Sequence, residues 1–232
     1  MDKSPQRIRG MFDSIAPWYD FLNHFLSLGI DRRWRAFTAR QLINADTIDG
    51  DVLDVCCGTG DLTLALQRRQ PQRSYYGIDF SEAMIERAKR KTGTLIFSTG
   101  DALHLPFDDN RFAVIANAFG LRNVCDTQGG LAEMVRVCKA DGTVAVLDFS
   151  MPVLPVLRQL YRFYFTSVLP RIGEWFAGNR NAAYRYLPQS VLAFDSPQQL
   201  AGRMEQLGLQ NIRIQSLTFG IAALVWGRKI KH

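Results

Sequence analysis

Short apolar runs alternate with amphipathic segments along most of the chain, and this alternation predicts the fold. Five of the runs read as strands, at residues 51–55, 74–79, 94–98, 112–117 and 143–147. Strands that alternate with helices favour a parallel sheet that is covered on both faces. Two later apolar runs, 211–217 and 221–226, are separated by so few residues that they must pair antiparallel. The pattern therefore predicts an α/β fold with a seven-stranded sheet, in which five parallel strands are followed by a C-terminal antiparallel hairpin.

The same pattern divides a single domain into four parts. Residues 1–46 are predicted to form an N-terminal helical cap, and residues 47–150 a core with the first five strands. Residues 151–195 read as an aromatic helical insertion after strand five, and residues 196–232 as the last helix and the hairpin. A chain of 232 residues is long enough for one α/β domain with a well-buried core.

Local signals mark where several helices begin and end. Asp31 is placed to cap a helix that runs to about residue 46, and Ser81 to cap the helix after strand two. Asp141-Gly142 indicates the stop of a helix that ends near residue 139. Ser196-Pro-Gln-Gln199 combines an N-cap, a proline at the first helical position and a glutamine at the capping-box position.

The turn after the first strand carries the first chemical signal. It reads Asp51-Val-Leu-Asp-Val-Cys-Cys-Gly-Thr-Gly-Asp61, with Asp54 ahead of a G-x-G pair. A strand, a glycine turn and a helix bring backbone N–H groups against a nucleotide-like ligand. An acid ahead of the turn suits a ligand with positive charge, such as the sulfonium and ammonium groups of S-adenosylmethionine. Asp79 follows about 20 residues later, a position from which a carboxylate bonds ribose hydroxyls.

Composition excludes several classes of protein. The chain is 47% hydrophobic and 22% charged, which is ordinary for a globular protein, and its polar first ten residues do not form a secretory signal. No apolar run approaches the roughly 20 residues of a membrane span. The four cysteines lack C-x-x-C spacing. We therefore expect no metal site and no disulfide framework, and we expect a cytoplasmic protein.

The net charge of +6 fits either a mild surface bias or an anionic partner. Nucleic acid is the less suitable partner, because the basic residues form no dense run. In addition, no Asn-Pro-Pro-Tyr-type motif for base flipping follows strand four. We therefore expect no nucleic-acid partner.

Motifs spread over nearly the whole chain resemble those of a known family. They are Tyr19-Asp-Phe-Leu-Asn23, Ser27-Leu-Gly29, Arg32-Arg-Trp-Arg35, the turn 52–61, Gly77-Ile-Asp79, Gly100-Asp-Ala102, Phe119-Gly-Leu-Arg-Asn123, Leu147-Asp-Phe-Ser150 and Tyr186-Leu-Pro-Gln-Ser-Val191. The chain resembles the class I S-adenosylmethionine methyltransferases and, more narrowly, the family that C-methylates the quinone ring in menaquinone and ubiquinone biosynthesis. The resemblance implies a Rossmann-like class I methyltransferase sheet. Cys56 departs from it by replacing the first glycine of the usual turn, and Asp148 stands where such families carry Glu.

The resemblance implies which residues hold S-adenosylmethionine. Asp79 is expected at the ribose, Asp101 and Ala102 at the adenine, and Asn117 at the end of the fourth strand. The turn is expected to contribute Asp54, Gly58, Thr59 and Gly60. Cys56 and Cys57 are interpreted as packing residues, because a thiol behaves as a small apolar group.

The reaction that the resemblance implies needs a base and partners for the quinol oxygens. Deprotonation of a phenolic hydroxyl makes a ring carbon a better nucleophile, and Asp61 at the helix start is expected to be the base. Arg122 and Asn123 after strand four, together with Tyr19, are expected to hold the quinol oxygens. The alternative for Asp61 is a favourable interaction with the helix dipole.

The histidines His24 and His104 are the other residues that have the chemistry of a base. Neither has a paired acid at an informative spacing in the sequence. We interpret His24 as a partly buried, satisfied side chain and His104 as part of the packing near Asp101. Neither histidine is assigned to catalysis.

The insertion 151–195 is interpreted as the part that meets a lipophilic substrate. It contains nine aromatic residues with five arginines among them. Aromatic and basic side chains together suit a prenyl tail and peripheral contact with an anionic membrane surface. The alternatives are a simple covering layer on the sheet and a homodimer interface rich in Tyr and Trp.

The sequence thus predicts C-methylation of a prenylated quinol with S-adenosylmethionine as the methyl donor. Demethylmenaquinol is the simplest acceptor, and the ubiquinone precursor is a second one. The alternatives are a methyltransferase for another lipid or small acceptor, and a binding module on a degenerate methyltransferase fold. Intact Asp54, Asp79 and Asp101 favour a working cofactor site over the binding module.

Overall fold

The computed structural model describes residues 3–45, 48–164, 167 and 182–230. Within these ranges the strands are β1 (Asp51–Val55), β2 (Tyr75–Asp79), β3 (Ile96–Thr99), β4 (Phe112–Ala118), β5 (Cys138–Phe149), β6 (Leu209–Leu217) and β7 (Ala222–Lys229). The α-helices are α1 (Pro5–Ile15), α2 (Tyr19–Leu26), α3 (Ile30–Ala45), α4 (Asp61–Gln67), α5 (Glu82–Lys91), α6 (Thr127–Val137), α7 (Pro155–Phe163), α8 (Ala182–Ala193) and α9 (Pro197–Gln206). The predicted order of helices and strands is confirmed.

The strands form one seven-stranded sheet in the order β3-β2-β1-β4-β5-β7-β6. Strands β1 to β5 are parallel, and β7 runs antiparallel to both β5 and β6. This arrangement confirms the predicted five parallel strands with a C-terminal hairpin. Strand order reverses between β1 and β4, and a crevice at the carboxyl ends of the strands is expected at such a point.

Helices cover both faces of the sheet, and alternate strand residues serve the two sides. Val52 packs with side chains of α3, α4 and α5, whereas its neighbour Leu53 packs with side chains of α6 and α9. Successive strand residues point to opposite faces, so a strand buried on both sides must be apolar throughout. β1 and β4 are buried in this way, which explains why they are apolar except for Asp51 and Asp54 in β1 and Asn117 in β4.

Two of the predicted helix signals are confirmed. The Ser81 hydroxyl accepts a hydrogen bond from the backbone N–H of Met84 at 3.2 Å, at the start of α5. Ser196 and Gln199 form the predicted capping box at the start of α9, with both reciprocal hydrogen bonds present.

Two other signals were wrong. Asp31 lies inside the first turn of α3 and does not cap it, because its carboxylate is bonded to Ser27 and Arg35. α6 ends at Val137 rather than near residue 139, because Cys138 already pairs with Phe112 in the sheet. Asp141-Gly142 consequently lies inside β5, at a register shift, with Asp141 at φ 62°.

The N-terminal cap is attached to the core at the carboxyl end of β2. Arg9 donates to the carbonyl of Phe80 at 2.9 Å, and Ser81 donates to the Asp13 carboxylate at 2.5 Å. Arg87 of α5 donates to the carbonyl of Pro17 at 2.7 Å. Helices α1 and α2 therefore lie across the end of the sheet where a ligand crevice is expected.

The described part of the insertion packs beside the hairpin. Tyr161 of α7 and Val191 of α8 are buried together against Phe149 and Ile221. Other residues of the aromatic prediction lie outside the described residues, namely Phe165, Arg171, Trp175, Phe176 and Arg180. Of the helices in the described ranges, none is long and apolar enough to cross a membrane.

Candidate functional site

A cavity opens at the carboxyl ends of β1, β2 and β4, beneath α1 and α2. Nine of the twelve predicted site residues line it: Tyr19, Asp54, Gly58, Thr59, Asp61, Asp79, Asp101, Ala102 and Asn123. Gly60, Asn117 and Arg122 do not line it. The fold therefore brings most of the predicted residues together around one space, as parallel strands with a common carboxyl edge allow.

The turn after β1 is tightly folded and depends on left-handed backbone. Cys56, Gly58 and Gly60 have φ values of 55°, 54° and 82°. A side chain on Gly60 would place its Cβ 2.7 Å from the ring of Phe97, so only glycine fits there. Gly60 thus shapes the turn from behind the cavity wall and does not face the ligand space.

The two adjacent cysteines pack within this turn. Burial raises the pKa of both thiols well above the ordinary value, so Cys56 and Cys57 remain protonated. Cys56 lies against Gly120, where an added Cβ would approach the cysteine Cβ to 2.4 Å. A small side chain at residue 56 therefore allows the loop after β4 to approach the turn closely.

Asp54 presents an unsatisfied carboxylate oxygen to the cavity. The residue is 1% exposed, and the Thr63 hydroxyl donates to its Oδ2 at 2.6 Å. Its Oδ1 has no hydrogen-bond partner among the described residues. Burial raises the pKa of Asp54 to about 7. A buried carboxylate with one free oxygen fits the ammonium group of S-adenosylmethionine, because an opposite charge there would offset the lost hydration.

Asp79 connects the end of β2 to the glycine turn. Its Oδ2 accepts from the backbone N–H of Gly58 at 2.8 Å, and its Oδ1 accepts from Ser81 at 2.9 Å. Burial raises the pKa of Asp79 even though these N–H groups favour its charged form. The carboxylate is therefore held rigidly at the cavity wall, where a pair of ribose hydroxyls fits its remaining acceptor sites.

Asp101 and Ala102 lie in the cavity wall together with apolar side chains. The Asp101 carboxylate accepts from the backbone N–H of Leu103 at 2.9 Å, and Ala102 is buried beside it. Phe80 and Met84 line the same region. A slot with apolar walls and one carboxylate at its edge suits an adenine ring and its amino group.

Asn117 is used inside the protein and not at the ligand space. Its amide nitrogen donates to the carbonyl of Val55 at 2.7 Å, and its oxygen accepts from Leu121 at 3.1 Å. Both ends of the side chain are therefore engaged with backbone. This corrects the expected cofactor contact: Asn117 joins the end of β1 to the loop after β4.

A charged cluster occupies the boundary between the N-terminal cap and the turn. Lys91 contacts Asp20 at 2.7 Å, Asp61 at 2.6 Å and the Thr59 hydroxyl at 2.9 Å. Thr59 donates to Asp20 at 2.5 Å. Burial by itself raises the pKa of Asp20, but the hydrogen bonds from Lys91 and Thr59 outweigh it and hold that pKa below its ordinary value. The hydroxyl of Thr59 is thus committed to the cap, which leaves the Thr59 backbone to face the ligand.

Asp61 has further charged neighbours on the side away from Lys91. The His24 Nε2 lies 3.8 Å from its Oδ2, and Arg35 lies 4.0 Å from the same oxygen. His24 also has a paired acid, because its Nδ1 lies 2.8 Å from Asp31. This pairing agrees with the interpretation of His24 as a partly buried, satisfied side chain. The seven-residue spacing gave no signal because a break between α2 and α3 brings the two side chains together.

Tyr19 and Asn123 both line the cavity. The Tyr19 ring meets Phe12 edge-on, with centroids 6.1 Å apart, and burial raises the pKa of its hydroxyl. Asn123 donates to the Phe119 carbonyl at 3.4 Å, and its Oδ1 has no partner among the described residues. Each side chain offers the cavity a polar group that fits a hydroxyl.

Arg122 does not reach the cavity. It is 5% exposed and forms an ion pair with Asp148 at 2.9 Å, while also bonding to the carbonyl of Phe119. Burial raises the pKa of Asp148, although Arg122 opposes that effect. The expected contact of Arg122 with a quinol oxygen is corrected to support of the loop that carries Asn123.

Several wall residues were not predicted from the sequence as site residues. Arg35, Phe12 and Ile8 line the cavity, and Lys91 completes its charged boundary. Arg35 was part of a motif that supported the family resemblance, and this was the signal available for it. Phe12 and Ile8 carry no sequence signal beyond the amphipathic pattern of α1.

Known proteins of one family match this chain over nearly its whole length. The model of the ubiE/COQ5 methyltransferase family matches residues 1–229. The ubiquinone/menaquinone biosynthesis C-methyltransferase UbiE of Citrifermentans bemidjiense is 46% identical over 237 residues, covering 99% of each chain. The demethylmenaquinone methyltransferase of Deinococcus radiodurans is 44% identical over 228 residues, covering 97% of this chain and 93% of the relative.

Solved structures of lower identity share the fold. A putative S-adenosyl-L-methionine-dependent methyltransferase from Methanococcus maripaludis has a TM-score of 0.60 at 18% identity, covering 100% of this chain and 96% of the other. A putative methyltransferase in complex with the Haloferax volcanii Trm112 activator has a TM-score of 0.65 at 19% identity, covering 97% of this chain and 98% of the other. At this identity the likeness concerns the sheet and its helices.

The buried carboxyl of Asp54 predicts how cofactor binding depends on pH. Because its pKa is about 7, the affinity for S-adenosylmethionine should fall about tenfold for each pH unit below that value. Isothermal titration calorimetry across the range from pH 5.5 to 8.5 measures this slope. Asp54→Asn should bind S-adenosylmethionine weakly at every pH, and its affinity should no longer change with pH. Asp51→Asn, at the other end of the strand, should retain the wild-type affinity and its pH dependence. An unchanged slope in Asp54→Asn would contradict the assignment.

The same carboxyl should affect the stability of the ligand-free protein. Between the roughly 3.9 of an unfolded aspartate and the folded value of about 7, the folded state holds a proton that the unfolded state has released. Its contribution to stability is therefore complete below about pH 4 and is lost as pH rises through about 7. Asp79 and Asp148 change stability in the same direction, but both are present in wild type and in Asp54→Asn. Their effect therefore cancels in the difference between the two proteins. The stability difference between wild type and Asp54→Asn should change with pH in this window, and a constant difference would refute it.

Proposed function

From the premise that the chain belongs to the ubiE/COQ5 methyltransferase family, we propose that it transfers a methyl group from S-adenosylmethionine to a ring carbon of a prenylated hydroquinone. Demethylmenaquinol is the simplest acceptor, and the ubiquinone precursor is the second. The observation that carries the proposal is the full-length identity of 39–46% to relatives named for these two pathways. The cavity supports the proposal because it has carboxylates for a cationic methyl donor in one part and polar groups for an acceptor in another.

The chain's own residues fit the methyl donor at the strand ends. Asp54 would take the ammonium group, Asp79 the ribose, and Asp101 with Ala102 the adenine. Gly58 and the Thr59 backbone would lie along the ligand, while Asn117 and Gly60 keep the turn in shape. When bound, S-adenosylmethionine supplies an electrophilic methyl group on a sulfonium.

The acceptor wall is proposed to consist of Tyr19, Asn123 and Asp61. Tyr19 and Asn123 would hydrogen-bond the quinol oxygens and fix the ring. Asp61 would take the proton of the phenolic hydroxyl, which moves electron density onto the ring carbon. Help from a general base is typically worth about 10²- to 10⁴-fold, and correct alignment can supply a larger part of the barrier.

The N-terminal cap is proposed to keep water from this pocket. Phe12, Ile8 and the Tyr19 ring cover the space above the turn. Charge is neutralised between donor and acceptor during transfer, and a poorly hydrated site favours such a step. The cap is thus proposed to be part of the catalytic site.

An exposed apolar rim beside the cap is proposed to contact the membrane that holds the substrate. We define the rim as Trp18, Phe21, Phe25 and Leu28 around α2, followed by Phe219 and Val153. Leu28 is 86% exposed, and the rings of Phe21 and Phe25 stack with centroids 5.8 Å apart. Exposed aromatic and aliphatic side chains of this kind insert into the bilayer interface.

The two parts of the rim are joined through α3. Trp34 donates to the hydroxyl of Thr218 at 2.9 Å, next to the exposed Phe219. A Cβ on Gly220 would lie 3.3 Å from the backbone nitrogen of Val153. The turn before β7 lies at the carboxyl end of β5, because Ala222 pairs with Phe149. The rim therefore lies at the same edge of the sheet as the cavity.

The charges around the rim complement an anionic membrane. Arg32 and Arg33 are exposed beside it, while Asp20 and Asp31 in the same segment are both held in ion pairs. Each basic residue near an anionic surface contributes about 1 kcal/mol. We therefore propose that the protein is peripheral to the cytoplasmic face of the membrane. The alternative occupant of this rim is a second copy of the chain in a homodimer.

The proposed reaction is tested by transfer of a labelled methyl group. Reduced demethylmenaquinone and the reduced ubiquinone precursor are offered in parallel, with S-adenosylmethionine as the donor. Label in the first quinol, with or without the second, is the expected result. Asp61→Asn should lower turnover at least about 100-fold with cofactor affinity retained, and Asp108→Asn on an exposed loop should not. Bound cofactor without label in either quinol would rule out the substrate assignment.

Membrane contact is tested by sedimentation with lipid vesicles. The protein should bind vesicles that contain phosphatidylglycerol more tightly than pure phosphatidylcholine, and added salt should weaken binding. Replacing both Phe21 and Phe25 with Ser should weaken binding more than tenfold, because burial of one large apolar side chain is worth about 1.5–3 kcal/mol. Ile214→Ser on the exposed side of β6 is the matched control. Equal binding by the double variant, or a change in its oligomeric state instead, would refute the proposal.

A further inference from the structure

His24 lies in a line of three side chains that runs from the cavity wall into the turn between α2 and α3. Its Nε2 lies 3.8 Å from the Oδ2 of Asp61, and its Nδ1 lies 2.8 Å from the Oδ2 of Asp31. Asp61 lines the cavity, but His24 and Asp31 do not. A ligand in the cavity would therefore meet this line only through Asp61.

The far end of the line is fixed by Asp31. Ser27 donates to its Oδ1 at 2.7 Å, and Arg35 forms an ion pair with its Oδ2. Burial by itself raises the pKa of Asp31, but Arg35 and Ser27 outweigh it and hold the pKa below the ordinary value. An ionised carboxylate only accepts hydrogen bonds, so the Nδ1 of His24 must carry the hydrogen. A neutral His24 consequently presents an unprotonated Nε2 towards Asp61.

The charges around the imidazole have room for one more proton. Asp31, Asp61 and Asp20 act on the imidazole directly, while Arg35 from α3 and Lys91 from α5 are bound to these carboxylates. These are three carboxylates and two cations, which leaves one negative charge in excess. An imidazolium at residue 24 would balance it.

A bound metal ion suits the same cluster less well. Ligand-type atoms of His24, Asp31 and Asp61 lie within 4.8 Å of one another. Both carboxylates, however, already have cationic partners, Arg35 on Asp31 and Lys91 on Asp61. A proton adds one charge and needs no vacant coordination positions, so it fits the arrangement better than a divalent cation.

We infer that His24 receives, through the Asp61 carboxylate, the proton that the acceptor loses, an inference that rests on the proposed function. The acceptor O–H bond breaks as an Asp61 O–H bond forms. The proton then moves to the Nε2 of His24, which regenerates the carboxylate. A small closure would bring these two atoms, now 3.8 Å apart, to hydrogen-bonding distance, and catalytic contacts are commonly this long in ligand-free proteins.

The overall balance requires one such proton for each methyl group. The ring carbon that gains the methyl group loses its hydrogen, and the phenolic oxygen regains one, so a single proton is released. The side chain of His24 is 19% exposed, which gives this proton a path to solvent. His24 touches neither substrate nor cofactor and acts through Asp61 as a positioning and proton-holding residue.

A pair of substitutions separates proton transfer from simple support of Asp31. In His24→Asn the amide nitrogen can take the place of Nδ1 and bond to Asp31, but nothing replaces Nε2. Turnover should fall about 10- to 100-fold, towards the lower end of general base effects, with unchanged calorimetric affinity for S-adenosylmethionine. Asp108→Asn, an exposed substitution outside the site, should leave turnover unchanged. Full turnover in His24→Asn would overturn the relay.

Chemical rescue of turnover separates proton transfer from a purely structural role, because added imidazole can replace a lost base. His24→Ala leaves space beside Asp61 that is open to small molecules. Added imidazole should restore its turnover in proportion to the concentration of the neutral base, and should not accelerate His24→Asn, where the space is filled. A folded His24→Ala protein that imidazole does not accelerate would contradict the relay.

Nitrogen NMR of the ligand-free protein tests the orientation of the His24 ring without an activity assay. The chain has only three histidines, which makes the His24 ring straightforward to assign. The neutral ring should carry hydrogen on Nδ1 in wild type and lose that preference in Asp31→Asn. The opposite tautomer in wild type would overturn the relay. Wild-type protein that labels neither quinol would instead contradict the proposed function, whereas the tautomer tests only the arrangement of His24 and Asp31.

Discussion

The ion-pair junction around Lys91 is the interaction on which the arrangement of the site depends. Its ammonium group lies between the carboxylates of Asp20 and Asp61, at 2.7 and 2.6 Å, and also meets the hydroxyl of Thr59. These groups come from α2, the glycine turn, α4 and α5. This partly exposed cluster therefore joins the N-terminal cap to the sheet and fixes the residue proposed as the base. Removing one partner from such a cluster leaves charges without compensation, which is costly when they are partly buried.

The second constraint is the number of acids that the fold buries at the strand ends. Asp54 and Asp79 are at the carboxyl ends of β1 and β2, and burial raises the pKa of each. The ligand-free protein thus carries acidic groups in an environment that does not favour their charge. A cationic, hydroxyl-bearing ligand would relieve that cost, so the same desolvation that weakens the empty site favours the occupied one. Stability and ligand affinity are linked through these carboxyls.

Prediction from the sequence succeeded where local rules decide the structure. Buried strands, the short hairpin connection, the Ser81 cap and the capping box at Ser196 all follow from neighbours in the chain. It was less successful where distant pairing decides. α6 ends at Val137 because Cys138 enters the sheet, and Arg122 turns inward because β5 presents Asp148. The pairing of His24 with Asp31 depends on the angle between two helices, which no periodicity records. Cavity residues in the turn were predictable because a strand followed by a glycine turn fixes their direction.

Hydrogen–deuterium exchange of α2 tests most directly whether the cap and the core form one site. In wild-type protein the amides of α2 should exchange slowly, and S-adenosylmethionine should slow them further. Lys91→Met should speed exchange in α2 and weaken cofactor binding while leaving β1 and β4 unchanged. Lys89→Met on the same helix, which loses only a surface pair with Glu86, should behave as wild type. Exchange in α2 that is the same in wild type and Lys91→Met, with or without cofactor, would contradict the account.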